Sequence, residues 1–86
     1  MNAKRIATIR SRLDAALQPT ECEIIDESHL HAGHAGARDG RGHFAVRIAS
    51  TKFRGLSRIA QHRLVYEALG DLMATDIHAV RIESSI

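Results

Sequence analysis

Apolar residues recur at helical spacing in two segments of the chain. From Ala3 to Leu17 they fall three and four positions apart, which predicts an amphipathic helix that Pro19 closes. A second segment begins at Ser57, a good N-cap, and extends to Met73, with a predicted break near Gln61 into a short and a longer helix. The stripe positions are Ile6, Ile9, Leu13, Ala16 and Leu17 in the first segment, and Ile59, His62, Val65, Ala68, Leu69, Leu72 and Met73 in the second.

Alternation of apolar and polar residues predicts three strands, Glu21 to Ser28, His43 to Ser50 and His78 to Glu83. The first two would pair as an antiparallel hairpin, whereas a right-handed crossover through the helical segment would make the third parallel to the second. The positions in phase with one another are Cys22 and Ile24 in the first strand, Phe44, Val46 and Ile48 in the second, and His78, Val80 and Ile82 in the third.

Because each strand is apolar on one face only, helices are expected to cover one side of a three-stranded mixed sheet. The other side, which carries Arg47 and Arg81, would stay open. The predicted order is α-β-β-α-(α)-β, an α+β fold. At 86 residues the chain has room for one compact core, so a single domain over residues 1–86 is expected.

Charge and cysteine content narrow the function classes. Lys and Arg number 12 against 10 Asp and Glu, a formal net charge of +2, which permits a nucleic-acid partner without indicating one. Cys22 is the single cysteine, so the chain has no internal disulfide and no CxxC motif. No apolar run reaches the roughly 20 residues of a membrane span, and the basic N-terminal stretch lacks the features of a secretory signal. A cytoplasmic location is therefore expected.

Histidine is the conspicuous residue type. Six occur in the chain, and His29, His31, His34 and His43 crowd a stretch that also holds four of the six glycines. From His29 to Gly42 no periodicity is present, so a long connection is predicted, and connections of that length are usually functional or disordered. Imidazole is the side chain most often recruited for metals and protons. The crowding raises the question of a metal site.

Several short segments then appear in a characteristic order. They are DES at 26–28 followed by His29, HF at 43–44, FRG at 53–55, QHRLVY at 61–66 and IHAVRI at 77–82. In this combination they resemble the BolA family, over most of the chain beyond the first helix. Gly42 and Gln61 depart from the family pattern, since serine or threonine is common at the first position and arginine at the second. The resemblance implies a fold similar to the class II KH domain.

The resemblance also implies a non-enzymatic function. The family is best known as the partner of monothiol glutaredoxins, with which it shares a 2Fe-2S cluster in iron-sulfur trafficking and iron homeostasis. By position, His78 matches the family's C-terminal cluster ligand, and His31 matches the loop position that is His or Cys in its members. Imidazole nitrogens can replace thiolates on such a cluster, and glutaredoxin and glutathione would supply the remaining thiolates. No cluster is expected in the isolated chain.

The other histidines receive supporting interpretations. His34, three residues after His31, is a substitute ligand on a flexible connection. His29 would order the loop by hydrogen bonding, and His43, on the open sheet face opposite Phe44, would support the ligands. His62 is interpreted as structural because it lies on the apolar stripe of its helix, and Cys22 as a small buried hydrophobe.

Two other function classes compete. A KH-like, DNA-binding transcriptional regulator is the main alternative, with Lys52, Arg54, Arg58 and Arg63 as a surface for phosphates or for an acidic protein partner. The helix-entry segment Gly55 to Arg58 lacks the second glycine of a GXXG clamp, however. An enzyme is disfavoured because no nucleophile motif is present, and Asp26 and Glu27 would point to opposite faces of a strand.

Overall fold

The computed structural model describes residues 3–31 and 41–86, with side chains for residues 3–29 and 41–86. In this part of the chain, two short 3-10 turns at Ser28–His31 and Thr51–Phe53 accompany the helices and strands. The predicted order α-β-β-α-(α)-β is confirmed. The helices are α1 (Ala3–Leu17), α2 (Arg58–Leu69) and α3 (Leu72–Thr75), and the strands are β1 (Glu21–Asp26), β2 (Gly42–Ala49) and β3 (Ile77–Ser85).

The strands form one mixed sheet in the order β1-β2-β3. β1 and β2 pair antiparallel, from Glu21 opposite Ala49 to Asp26 opposite Phe44. β2 and β3 run parallel, as the crossover through α2 and α3 predicts. As a result the end of β1 and the starts of β2 and β3 lie at the same end of the sheet.

The core lies between the helices and one face of this sheet. Complete burial of an aliphatic or aromatic side chain stabilises a fold by about 1.5–3 kcal/mol, so a dozen such residues carry most of the stability. Ser50 joins two of the layers, because its buried hydroxyl donates to the Leu17 carbonyl (2.7 Å) at the end of α1. The fully buried apolar side chains include Ile9, Leu13, Phe44, Val46, Ile48, Phe53, Val65, Leu69 and Ile77.

The second helical segment breaks at a different place from the one predicted. α2 runs without interruption through Gln61 and ends at Leu69. Gly70 is its C-cap, with a positive φ of 53° that favours glycine and an N–H that donates to the Tyr66 carbonyl. Ser57 is the N-cap, as predicted, and accepts a hydrogen bond from the Ala60 N–H. Ile59, placed on the apolar stripe by its spacing, is 72% exposed and does not belong to the core.

The sheet face that points away from the helices carries ion pairs. Arg47 lies between Glu23 and Glu83, at 3.5 and 3.2 Å, and thereby links all three strands. Arg81 donates to Glu27 at 2.9 Å, and the pKa of Arg81 is raised by that hydrogen bond and by the charge of Glu27. Arg47 and Arg81 are exposed as predicted, but Ala45 between them is buried.

Candidate metal-ligating site at one end of the sheet

A β-bulge at the start of β3 determines where His78 lies. Gly42 pairs with Ile77 and His43 pairs with Ala79, so β3 advances two residues where β2 advances one, and His78 is the extra residue. A bulge of this kind redirects a side chain and changes the phase of the strand. Ile77 is buried, Val80 and Ile82 pack against the core, and His78 is exposed. The predicted common phase of His78, Val80 and Ile82 is therefore wrong.

His43 and His78 are brought together at this end of the sheet. Their ring centroids lie 5.0 Å apart, with an interplanar angle of 52°. His43 is 8% exposed, although it lies on the face expected to be open, so one imidazole of the pair is buried and the other is accessible. A ligand at this end of the sheet could therefore reach the His78 ring, with the buried His43 ring behind it.

The backbone around His43 is fixed by the first 3-10 turn. The His43 N–H donates to the Ser28 hydroxyl at 3.1 Å, and the His43 carbonyl accepts from the Glu27 N–H at 2.8 Å. Ser28 is itself held by a hydrogen bond from its N–H to the Asp26 carboxylate (2.9 Å), a local turn typical of Asp two residues before Ser. Sequence reasoning missed Ser28, although the Asp-Glu-Ser triplet carries the turn signal.

Gly42 leaves no space for a side chain. A Cβ atom at this position would lie 2.6 Å from Phe44 Cε2 and 3.0 Å from the Ser28 hydroxyl. Phe44 belongs to the core, and Ser28 holds His43, so a larger residue would displace one of the two. The departure from the serine or threonine that the family resemblance implies thus has a structural reason in this chain.

Arg41 is the second residue that sequence reasoning missed. Its Nη1 donates to the Met73 carbonyl at 3.2 Å, and its Nη2 lies 3.1 Å from His78 Nδ1. A guanidinium group has no acceptor, so Nδ1 must accept this hydrogen bond. The one sequence signal for Arg41 is that it directly precedes Gly42 and His43. No periodic pattern includes it.

The remaining predicted histidines divide between described and undescribed positions. His29 and the backbone of His31 lie in the 3-10 turn that follows β1, at the same end of the sheet as His78. The His29 side chain is exposed and makes no hydrogen bond to the described residues. Among those residues it is Ser28 that fixes the turn, through its hydrogen bonds to Asp26 and His43. His34 lies outside the described residues. The roles of His29, His31, His34, His43 and His78 toward a metal stay predictions.

No closed metal site forms within the described part of the chain. There, no three side chains of His, Cys, Asp or Glu converge in a way that could hold an ion. Cys22 packs beside the core on β1, and burial raises the pKa of its thiol, an effect that the Arg10 charge partly offsets. A thiol is a weak ligand until it loses its proton, so Cys22 is not a ready ligand.

The predicted basic group is divided by the fold. Lys52 and Arg54 are exposed at the second 3-10 turn, whereas Arg58 and Arg63 are exposed on α2. Five residues on an α-helix correspond to a rotation of about 140° beyond a full turn, so Arg58 and Arg63 point to different sides. Arg58 lines a shallow cavity with Glu83 and Ser84, and Arg63 lines another with Ile59 and Tyr66.

Comparison with known protein families identifies the chain. Residues 13–85 match the family described as BolA-like protein, a span that includes all three strands, α2 and the His43–His78 pair. The chain belongs to the BolA-like family. The family predicted from the short sequence motifs is thereby confirmed.

Curated relatives within the family are moderately similar. The chloroplastic/mitochondrial SufE-like protein 1 of Arabidopsis thaliana is 43% identical over 79 residues, which cover 86% of this chain and 21% of that protein. The chloroplastic protein BOLA1 of the same plant is 41% identical over 83 residues, covering 93% of this chain and 52% of that protein. This chain thus spans about a fifth of one relative and about half of the other.

Solved structures of the family share the fold. The BolA domain of SufE1 from Arabidopsis thaliana superposes with a TM-score of 0.85 at 38% identity, covering 96% of this chain and 92% of that one. BolA1 from the same plant gives a TM-score of 0.79 at 36% identity, with coverages of 94% and 89%. These structures confirm the predicted α+β fold with its mixed three-stranded sheet.

Location in the cell stays a prediction. Among the described residues, no helix is long and apolar enough to cross a lipid bilayer. The names of two relatives assign those proteins to chloroplasts or mitochondria. The expected cytoplasmic location is therefore not confirmed for this chain.

Proposed function

We propose that this BolA-like protein is a non-enzymatic partner of a monothiol glutaredoxin and co-ligates a bridging 2Fe-2S cluster. His78 is the principal ligand, and His31 is the second, with His34 as its substitute. Glutaredoxin and glutathione supply the remaining thiolate ligands. The role is in iron-sulfur cluster trafficking or iron homeostasis.

The observation that carries the proposal is the exposed imidazole of His78 in a bulge beside His43. The rings are 5.0 Å apart, and the start of β3 lies at the sheet end that also holds the turn with His31. Exposure of His78 leaves it accessible to a partner protein. Ser28 fixes the backbone of His43, whose ring packs beside that of His78, in the way that groups around a metal site orient its ligands.

The donor set fits a shared cluster better than a site of this chain's own. A 2Fe-2S cluster needs four protein or thiol ligands, and imidazole nitrogens serve in two of those positions in Rieske centres. The described residues hold no group of three convergent ligands. The cluster would be the cargo, supplying iron and sulfide, and His78 with His31 would hold it from one side.

An enzymatic role has no comparable support. Cys22, the single thiol, has a raised pKa and packs against the core. Glu27 is engaged with Arg81 on the open sheet face. A thiol that holds its proton and a carboxylate paired with a cation are poor nucleophiles and poor bases.

Nucleic-acid binding has less support, because the fold separates the cations predicted to bind phosphates. Arg58 and Arg63 point to different sides of α2, and Arg58 shares a cavity lining with Glu83. A phosphate backbone is bound by cations arranged along one surface. The division therefore weakens the case for nucleic-acid binding.

Co-expression with a monothiol glutaredoxin in the presence of glutathione tests the proposal. The expected product is a coloured heterocomplex whose visible spectrum differs from that of the glutaredoxin homodimer, because imidazole replaces thiolate on iron. His78→Ala should abolish the difference, and His31→Ala should weaken it. His62→Ala is the matched control, since His62 lines a cavity with Ile82, about 13 Å along the strand from His78. A spectrum that His78→Ala leaves unchanged contradicts the proposal.

A further inference from the structure

The contact between Arg41 and His78 restricts what the His78 imidazole can do. Arg41 Nη2 donates to His78 Nδ1 at 3.1 Å, so the lone pair of Nδ1 is in use. A neutral imidazole with an accepting Nδ1 carries its proton on Nε2. In this arrangement neither ring nitrogen presents a lone pair to a metal.

We propose that Arg41 is a displaceable cap that holds His78 in a non-ligating state until a partner binds. The effect of this cap on cluster binding rests on the proposed function, whereas the hydrogen bond that forms the cap is a property of the isolated chain. Arg41 is thus a positioning residue that acts through His78. Removal of its N–H donor should release the ring.

Each route to ligation by a neutral imidazole requires the cap to open. If Nδ1 is the ligating atom, Arg41 must withdraw because a metal and an N–H donor cannot share one lone pair. If Nε2 is the ligating atom, its proton passes to water and water returns a proton to Nδ1, so the ring stays neutral. The new Nδ1–H then faces the N–H of Arg41, and two donors cannot bond to each other.

The position of Arg41 suits a cap that opens without loss of the fold. Its Nη1 donates to the Met73 carbonyl of α3 at 3.2 Å. That anchor is independent of His78, so the guanidinium can leave the imidazole while one hydrogen bond to the helix persists. Arg41 also precedes Gly42, the first residue of β2, and so links the cap to the start of that strand.

The tautomer of His78 tests the cap in the isolated chain. Two-bond ¹H–¹⁵N NMR correlations would be recorded at about pH 8.5, where an ordinary imidazole is neutral. We expect only the Nε2–H form in the natural protein, and a detectable Nδ1–H population in Arg41→Met, which keeps the unbranched stem but has no donor. Detectable Nδ1–H in the natural protein overturns the cap, and this measurement stands even if the variant fails to fold.

A matched charge-loss variant separates the cap from a general electrostatic effect. Arg47→Met removes a guanidinium from the same sheet, where Arg47 pairs with Glu23 and Glu83. We expect the tautomer of His78 in this variant to match that of the natural protein. An equal change of tautomer in Arg41→Met and Arg47→Met contradicts a specific hydrogen bond.

The consequence for cluster binding is measured with the glutaredoxin complex. Loss of a hydrogen bond to a charged group changes an affinity roughly tenfold or more, so Arg41→Met should form the coloured heterocomplex at about one tenth of the glutaredoxin concentration. If Arg41→Met changes the tautomer of His78 but leaves complex formation unaltered, the cap does not control cluster binding. If the tautomers are as expected but neither the natural protein nor Arg41→Met forms a coloured complex, the proposed function is overturned and the cap stands.

Discussion

Cys22 shows at the scale of a single residue how packing decides chemistry. It alternates with Ile24 on β1 and packs against the core, where burial raises the pKa of its thiol. The nearby charge of Arg10 lowers that pKa by a smaller amount, and Asp14 adds to the rise. Folding therefore favours the protonated thiol, which is the unreactive form.

Alkylation of Cys22 by iodoacetamide should be several-fold slower in the folded protein than in the chain unfolded in urea, at pH about 7.5, because the thiolate is the reactive species. The rate should rise at a higher pH than for the unfolded chain. By linkage, the stability that Cys22 contributes is complete below the unfolded pKa and is lost as the pH rises through the folded pKa. Equal rates in folded and unfolded protein would contradict the burial argument.

At the scale of elements, the ends of helices and strands position the candidate site. Gly70 ends α2, α3 then leads directly into β3, and the bulge in β3 releases His78 from the core face. At the other end of α2, the Ser57 cap and the Ser84 hydroxyl, which donates to Gln61 Oε1 at 2.6 Å, fix the helix to the end of β3. The crossover that sets the position of β3 is thus held at both ends.

Ser57→Ala should lower the free energy of unfolding by about 1 kcal/mol, since the Ala60 N–H loses its cap acceptor. Ser57→Asp should retain most of the stability because a carboxylate also caps. Ser11→Ala is the matched control: Ser11 is exposed within α1, where alanine is the better helix former and a small gain is expected. Urea denaturation measures all three, and a loss in Ser11→Ala equal to that in Ser57→Ala would exclude the cap as the cause.

At the scale of the whole molecule, ion pairs divide the surface. Arg5, Arg12, Arg47 and Arg81 each pair with a carboxylate. In the described ranges, Lys52, Arg54, Arg58 and Arg63 take part in no ion pair, although Arg58 shares a cavity lining with Glu83. These four cations therefore lie around the second 3-10 turn and α2, and the histidine pair lies at the other end of β3.

Nucleic acid should accordingly bind weakly, because the divided cations contact few phosphates, and the binding should fade as salt rises, because it depends on charge and reads no bases. Electrophoretic retardation of duplex DNA at about 50 and 150 mM salt measures this dependence. Arg63→Gln should reduce the retardation without altering the coloured glutaredoxin complex. Tight, sequence-selective retardation at physiological salt would instead favour the transcriptional alternative.

Local pattern predicted much of the fold, for identifiable reasons. Helical spacing gave α1 at Ala3–Leu17, and Ser57 marked the N-cap of α2, because both signals lie within a few neighbouring residues. Alternation placed three strands to within a few residues at each end, and the hairpin and crossover rules predicted their directions. Helical spacing failed for Ile59, because spacing cannot tell a position that faces the core from one that faces solvent.

The candidate site could be predicted only in part. His78 and His31 entered through the family motifs, and the structure places His78 and the His31 backbone at one end of the sheet. Arg41 and Ser28 act through contacts that form only in the folded chain, with His78 37 residues from Arg41 and His43 15 residues from Ser28. No local signal in the chain reports such contacts.

By itself the sequence determined the family, the order of elements and the crowding of histidines, because these depend on residue types and short-range spacing. Tertiary structure decided which histidines meet. The bulge turns His78 out of phase with Val80 and Ile82, parallel pairing brings it to His43, and Arg41 takes up its Nδ1. These outcomes depend on strand register and on long-range contacts, which chain folding fixes and spacing along the sequence does not encode.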